Sequence, residues 1–275
     1  MRRAIDRQRG FGLLLAVFAL VLMSAMFIGG IGVLIQLPHA AALERQKTAY
    51  LGDVAGALSR LYTEHLDRID AATEAPWSGT DMLGMAGIGP RWNLQIAVSS
   101  RQIDPSGVGY RNLYLWLPTA QPDPVTFDAA ADRFVAPADT LWRKVDGREI
   151  EQTAMRMAAR RLTRVADQLS AMFAAKRALD PAQDNAINHF QAAPCTSSVP
   201  GQGLPCTNGQ YVALAALGAT SAAGIAATDL TDPWGGQIVA SNTLDADVTE
   251  PPYSLVLRAT TPWGGSVTYR VSEPI

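Results

Sequence analysis

The chain is 275 residues long, 48% hydrophobic and 17% charged, with a formal net charge of −2. That balance is enough for a sizeable core and lacks the basic excess that nucleic-acid binding draws on. Two cysteines and three histidines leave little material for metal or nucleophile chemistry.

The N-terminal residues carry Arg2, Arg3, Arg7 and Arg9 against a single Asp6, and then no formal charge appears from Phe11 to Leu37. At about 1.5 Å per residue, a helix of that length exceeds the roughly 30 Å hydrocarbon core of a bilayer. The basic flank predicts a cytoplasmic N-terminus, with everything after Pro38 on the far side of the membrane. A cleaved secretory signal would have a shorter apolar region, of about 7–15 residues.

The junction Gly10-Phe11, between basic leader and apolar run, resembles the class III signal of type IV pilins and type II secretion pseudopilins. The resemblance implies cleavage after Gly10 by a prepilin peptidase, a methylated Phe11 as mature N-terminus, and retention of the apolar segment as the assembly helix. In that family the fifth mature position is usually Glu, whose carboxylate pairs with the N-terminal ammonium of a neighbouring subunit. Leu15 stands there in this chain. An unpaired charge is costly in lipid, so a subunit lacking the carboxylate suits a place with no subunit above it, as in tip pseudopilins. A plain, uncleaved single-pass anchor is the competing reading.

Residues 38–75 continue as a predicted amphipathic helix, with Leu43, Tyr50, Val54, Leu58, Leu61, Leu66 and Ile69 on one face. Pro38 is expected to kink it. Gly29, Gly30 and Gly32 just before it would either loosen the region or allow close helix packing. Residues 76–190 are punctuated by Pro and Gly. Within them Leu94–Ser100 and Asn112–Pro118 alternate like half-buried strands around DPSGVG, which predicts a hairpin. A second helix is expected from Arg148 to Leu179, stopped by Asp180-Pro181. Its apolar stripe is Met155, Leu162, Val165, Leu169, Met172 and Phe173, and Arg156, Arg160, Arg161, Arg164 and Lys176 are largely opposed as a solvated or subunit-facing surface.

Cys195 and Cys206 flank a Pro/Gly/Ser-rich loop. Outside the cytoplasm a disulfide is expected there; free thiols or a metal pair is the alternative, with no His or further Cys at ligand spacing. The C-terminal part repeats itself. Pro233-Trp234-Gly235-Gly236 and Pro262-Trp263-Gly264-Gly265 each precede an alternating apolar segment, and Tyr253–Ala259 between them reads as a partner strand. Pro sets φ, the Gly pair permits a left-handed turn, and Trp can fold over the departing strand. These turns resemble the DPWG turn of the major pseudopilin of type II secretion and the PWGG turn of type IVb pilins of conjugative thin pili. The resemblance covers about residues 1–75 and 195–275, while 76–190 has no counterpart and is similar only in being an extra region of the kind tip subunits carry.

The acidic run with Asp245, Asp247 and Glu250 reads as a solvated turn, with calcium ligation as the alternative. His39, His65 and His189 are widely spaced and read as surface or packing residues. No phosphate loop, zinc signature or nucleophile elbow is present. The reading is an α+β, pilin-like chain: leader 1–10, transmembrane and assembly helix 11–37, amphipathic continuation 38–75, central insertion 76–190 of hairpin and helix, and C-terminal antiparallel sheet 191–275 with a disulfide loop. The expected role is structural and not enzymatic, with no cofactor or metal. The expected partners are other pilin or pseudopilin subunits, the prepilin peptidase, a membrane assembly platform and the bilayer. The expected location is the bacterial inner membrane, with the C-terminal region periplasmic, and then the fibre.

Overall fold

The computed structural model describes residues 21, 23, 41–69, 77–119, 122–182, 187–190, 211–216, 223–241 and 251–274. They form a mixed α+β chain in which every strand pair is antiparallel. Two compact units divide it, Met1–Asp53 and Val54–Ile275.

In the first unit residues 41–53 are helical, as are Val21 and Met23, both exposed. Among the described residues no helix is long and apolar enough to cross a membrane, and the rest of the expected membrane segment lies outside them. Leu43, assigned from periodicity to the apolar stripe, is 44% exposed, a correction to that face.

The second unit opens with helical residues 54–64 (α1), a turn at His65, and the short α2, Leu66–Ile69. Val54, Leu58, Leu61, Tyr62, Leu66 and Ile69 are buried, matching the spacing of an amphipathic helix. Each buried leucine contributes about 1.5–3 kcal/mol. Helix α3, Gly79–Met85, starts from a reciprocal cap: Ser78 Oγ accepts from Asp81 N, and Ser78 N donates to the Asp81 carboxylate.

The predicted hairpin forms. β1, Gln95–Val98, pairs with β4, Leu113–Leu117, and the intervening chain makes a smaller ribbon from β2, Gln102–Ile103, and β3, Gly109–Tyr110. A third strand not apparent from sequence, β7, Leu141–Val145, pairs with the other side of β4, giving the order β1-β4-β7. β4 is the central strand, which suits its continuous apolar run LYLWL. Leu113, Leu115 and Leu117 are buried on one face. The opposite face carries Tyr114 and Trp116, partly roofed by a two-stranded flap of β5, Thr126–Asp128, and β6, Arg133–Val135.

Helix α4 runs from Gly147 to Leu179, close to the expected bounds. Asp146 caps it by accepting from Arg148 N, and Gly147 N donates to Asn112 Oδ1, so the helix start is tied to the hairpin. Leu162, Val165, Leu169, Met172 and Phe173 are buried, and the helix packs across β10, Ser254–Thr260, and β11, Ser266–Ser272. Those strands belong to a four-stranded sheet of order β11-β10-β9-β8, with β8 at Val212–Ala213 and β9 at Val239–Ser241. The expected partner strand is β10, and the two turn-then-strand units lead into β9 and β11.

Candidate functional site

The repeated turns are built alike. In the first, Asp232 N donates to Gly236 O at 2.7 Å and Gly235 N to Asp232 O at 3.2 Å; in the second, Thr261 N donates to Gly265 O at 2.9 Å and Gly264 N to Thr261 O at 3.1 Å. Gly235 and Gly264 take the left-handed φ values of +79° and +86° that the turn requires. The copies differ at their first residue. Asp232 Oδ1 also accepts from Trp234 N and Gly236 N, whereas burial pushes that carboxyl's pKa up against those hydrogen bonds and the nearby Arg161.

The turns meet through their tryptophans, Trp234 and Trp263, which pack edge to face with centroids 5.6 Å apart. Trp234 is buried and its Nε1 donates to Glu151 Oε2 at 2.9 Å, reaching the first turns of α4. Trp263 Nε1 donates to Gly107 O at 2.9 Å, reaching the tip of the β2–β3 ribbon. At Gly109 a Cβ would lie 2.7 Å from the Trp263 ring, so only glycine lets the ribbon approach. The paired turns thus join the C-terminal sheet to both the helix and the hairpin.

Beside this joint, Asp104 organises the ribbon tip. Its carboxylate accepts from Ser106 Oγ at 2.5 Å, Val108 N at 3.0 Å, Arg148 Nε at 2.8 Å and Ser106 N at 2.8 Å. The Ser106 hydroxyl, the Val108 amide and Arg148 hold its carboxyl well below the usual carboxylate range. A carboxyl depressed in the fold stabilises above its unfolded pKa of about 3.9, and that stabilisation is lost progressively as pH falls below it. Asp104→Asn should therefore lower the melting temperature at pH 7 and narrow the gap between melting at pH 7 and at pH 3, as measured by circular dichroism. An unchanged gap would remove Asp104 from the acid response.

The second feature is an aromatic face on the β1-β4-β7 sheet. Phe134 stacks on Tyr114 at 5.0 Å and lies 5.0 Å from Trp142 and 5.5 Å from Trp116. Trp116 Nε1 donates to Asp123 Oδ2 at 2.6 Å. Burial, then the neighbouring Asp132, pushes the Tyr114 phenol up to about 12, and its hydroxyl donates to Asp132 O at 3.3 Å. A third feature is an open groove of about 420 Å³ between α1 and α4, lined on α1 by Ala55, Ser59 and Thr63 and on α4 by Glu149, Thr153 and Met157. Thr63 and Thr153 turn their hydroxyls back to Ser59 O and Glu149 O.

Of the sequence-derived site residues, the structure brings together Pro233, Trp234, Gly235 and Gly236 with Pro262, Trp263, Gly264 and Gly265. Gly10, Phe11, Leu15, Pro38, Cys195 and Cys206 lie outside the described residues, as do His39 and the acidic run at Asp245, Asp247 and Glu250. Sequence reasoning missed Glu151, Asp104 and Gly109, which complete the joint. His65 packs on Trp77 and His189 on Phe173. The expected arginine face is exposed at Arg156, Arg160 and Arg164; Arg164 pairs with Asp229, while Arg161 is partly buried and donates to Thr231 O. Among the described residues no cluster of three or more His, Cys, Asp or Glu side chains could hold a metal ion. No protein-family model, no curated protein and no solved structure matches this chain.

Proposed function

We propose that this chain is a pilin-like structural subunit, a minor or tip component of a type IV pilus or type II secretion pseudopilus. The observation that carries this reading is the order of its N-terminal features: basic leader, Gly10-Phe11, then an uncharged apolar run to Leu37. Two further features support it. The α+β unit starts on an amphipathic helix with one buried face, and the repeated turns lead into the strands of an antiparallel sheet.

On this reading the apolar segment holds the subunit in the inner membrane until assembly. It then exchanges lipid for the helices of other subunits, a transfer between two apolar surroundings that leaves no charge unpaired at Leu15. The head unit remains outside the membrane as the part the fibre displays.

Intact mass and N-terminal sequencing of the protein from its native membrane test the assignment. The expected mature chain begins at N-methyl-Phe11. An intact Met1 overturns it in favour of an uncleaved, membrane-anchored periplasmic protein of an envelope or secretion complex. Leu15→Glu is expected to change the number of fibres or the position of the subunit in them by immuno-electron microscopy, and no change in either would end the tip assignment.

A further inference from the structure

The aromatic face of the three-stranded sheet has no role in the turn joint or in the N-terminal segment. Strand register aligns Gln95, Trp116 and Trp142 across β1, β4 and β7 on one face, a row of about 10 Å at ordinary strand spacing. Trp142 is 45% exposed, and Trp116 and Phe134 are half-buried. Trp116 is fixed by its bond to Asp123, and Phe134 by its stack on Tyr114. Two of the three rings are thus held in place while all three keep some exposure, so little ordering is left to be paid on binding.

We propose that this row is a binding site for a neutral glycan, with one pyranose ring lying on the Trp142 indole beside Lys144 and a further sugar unit extending along the row to Gln95. Size favours a small ligand over a protein. An aromatic side chain offers about 150–250 Å² in all, so three partly exposed rings present roughly 200–300 Å². A stable protein interface buries about 800 Å² on each partner.

Charge selects the class of small ligand. Aromatic faces also attract quaternary ammonium groups, but the Lys144 ammonium already sits 5.7 Å from the centre of the Tyr114 ring and repels a second cation. Asp123, the carboxylate against Trp116, has Oδ2 engaged by the indole and Oδ1 by Val125 N. Polar C–H bonds of a sugar suit the negative ring face. Its hydroxyls both donate and accept, and the row supplies both partners: Lys144 donates, and Gln95, whose amide nitrogen bonds Asn93 O, keeps its amide oxygen as an acceptor. The site does not depend on how the N-terminus is processed.

The test uses the full chain in a detergent without a sugar headgroup. It is screened on an array of neutral hexose and N-acetylhexosamine oligosaccharides, and the best saccharide is then titrated by tryptophan fluorescence, with phosphocholine alongside. The expected result is saccharide binding that Trp142→Ala weakens at least tenfold, that Trp142→Phe partly retains, and that Tyr269→Ala on β11 of the other sheet leaves unchanged. Should Trp142→Ala lower the melting temperature, Gln95→Ala and Lys144→Ala carry the test, each expected to weaken binding several-fold. Retention of no neutral saccharide, binding of phosphocholine alone, or affinity undiminished in these variants would overturn the proposal.

Discussion

Trp234→Ala is expected to lower the unfolding free energy by about 3–5 kcal/mol, the range for removing a buried tryptophan. In a unit of this size that corresponds to a drop in melting temperature on the order of 10 °C. Three losses coincide: an indole only 5% exposed, the edge-to-face contact with Trp263, and the N–H that donates to Glu151 within a buried site. Trp263 is partly exposed and its N–H bonds a backbone carbonyl, so Trp263→Ala is expected to cost less, about 1–3 kcal/mol. Thermal and denaturant unfolding of the two single variants and the double variant measure the pair directly. The cycle should return a coupling of about 0.5–1.5 kcal/mol. Additivity of the two losses would mean that the turns act separately and that the joint is a coincidence of packing.

Gly147→Ala is expected to be at least as severe, for a different reason. A Cβ at Gly147 would lie 1.9 Å from the Arg111 carbonyl oxygen and 2.9 Å from the Tyr62 ring. Neither can retreat easily, because Tyr62 is fully buried and its hydroxyl accepts from Arg111 N. Overpacking of a rigid site costs about 1–3 kcal/mol and more when backbone must move. A loss of at least about 3 kcal/mol, or failure to fold cooperatively, is the expected outcome. Gly84→Ala is the control. It lies in α3 with open space around its Cβ position, so the change should be neutral or stabilising by up to about 1 kcal/mol. Equal melting of the two variants would show that the contact of α4 with the hairpin yields to an added methyl group.

Elements whose pattern is local were legible in the sequence. The hairpin around DPSGVG follows from two alternating runs and a turn, α4 from its 3.6-residue stripe between Arg148 and the Asp180-Pro181 stop, and strands β9 and β11 from the repeated Pro-Trp-Gly-Gly. What escaped reading depends on distant partners. Glu151 is charged by type yet fully buried, because Trp234, 83 residues away, places an N–H against it. β7 escaped because LWRKV carries two cations and runs straight into a helix cap, yet β4 offers it an open side. The flap strands β5 and β6 are three residues each, too short for a period to show, and they exist because Phe127 and Phe134 find Tyr114. Helical periodicity extends through Leu43, yet that side chain is exposed. Periodicity says which side of a helix can be covered and not where the covering stops.

The second turn closes the hairpin of β10 and β11, whose far end pairs Ser254 with Ser272, close to the C-terminus. A tensile load applied at that terminus would open the hairpin pair by pair from Ser272 towards Ser266, breaking cross-strand bonds in series and not together. The peeling would reach Trp263 last, where the indole is latched to Gly107 and to its twin. A unit built this way yields its edge strand before it gives up the connection between its halves.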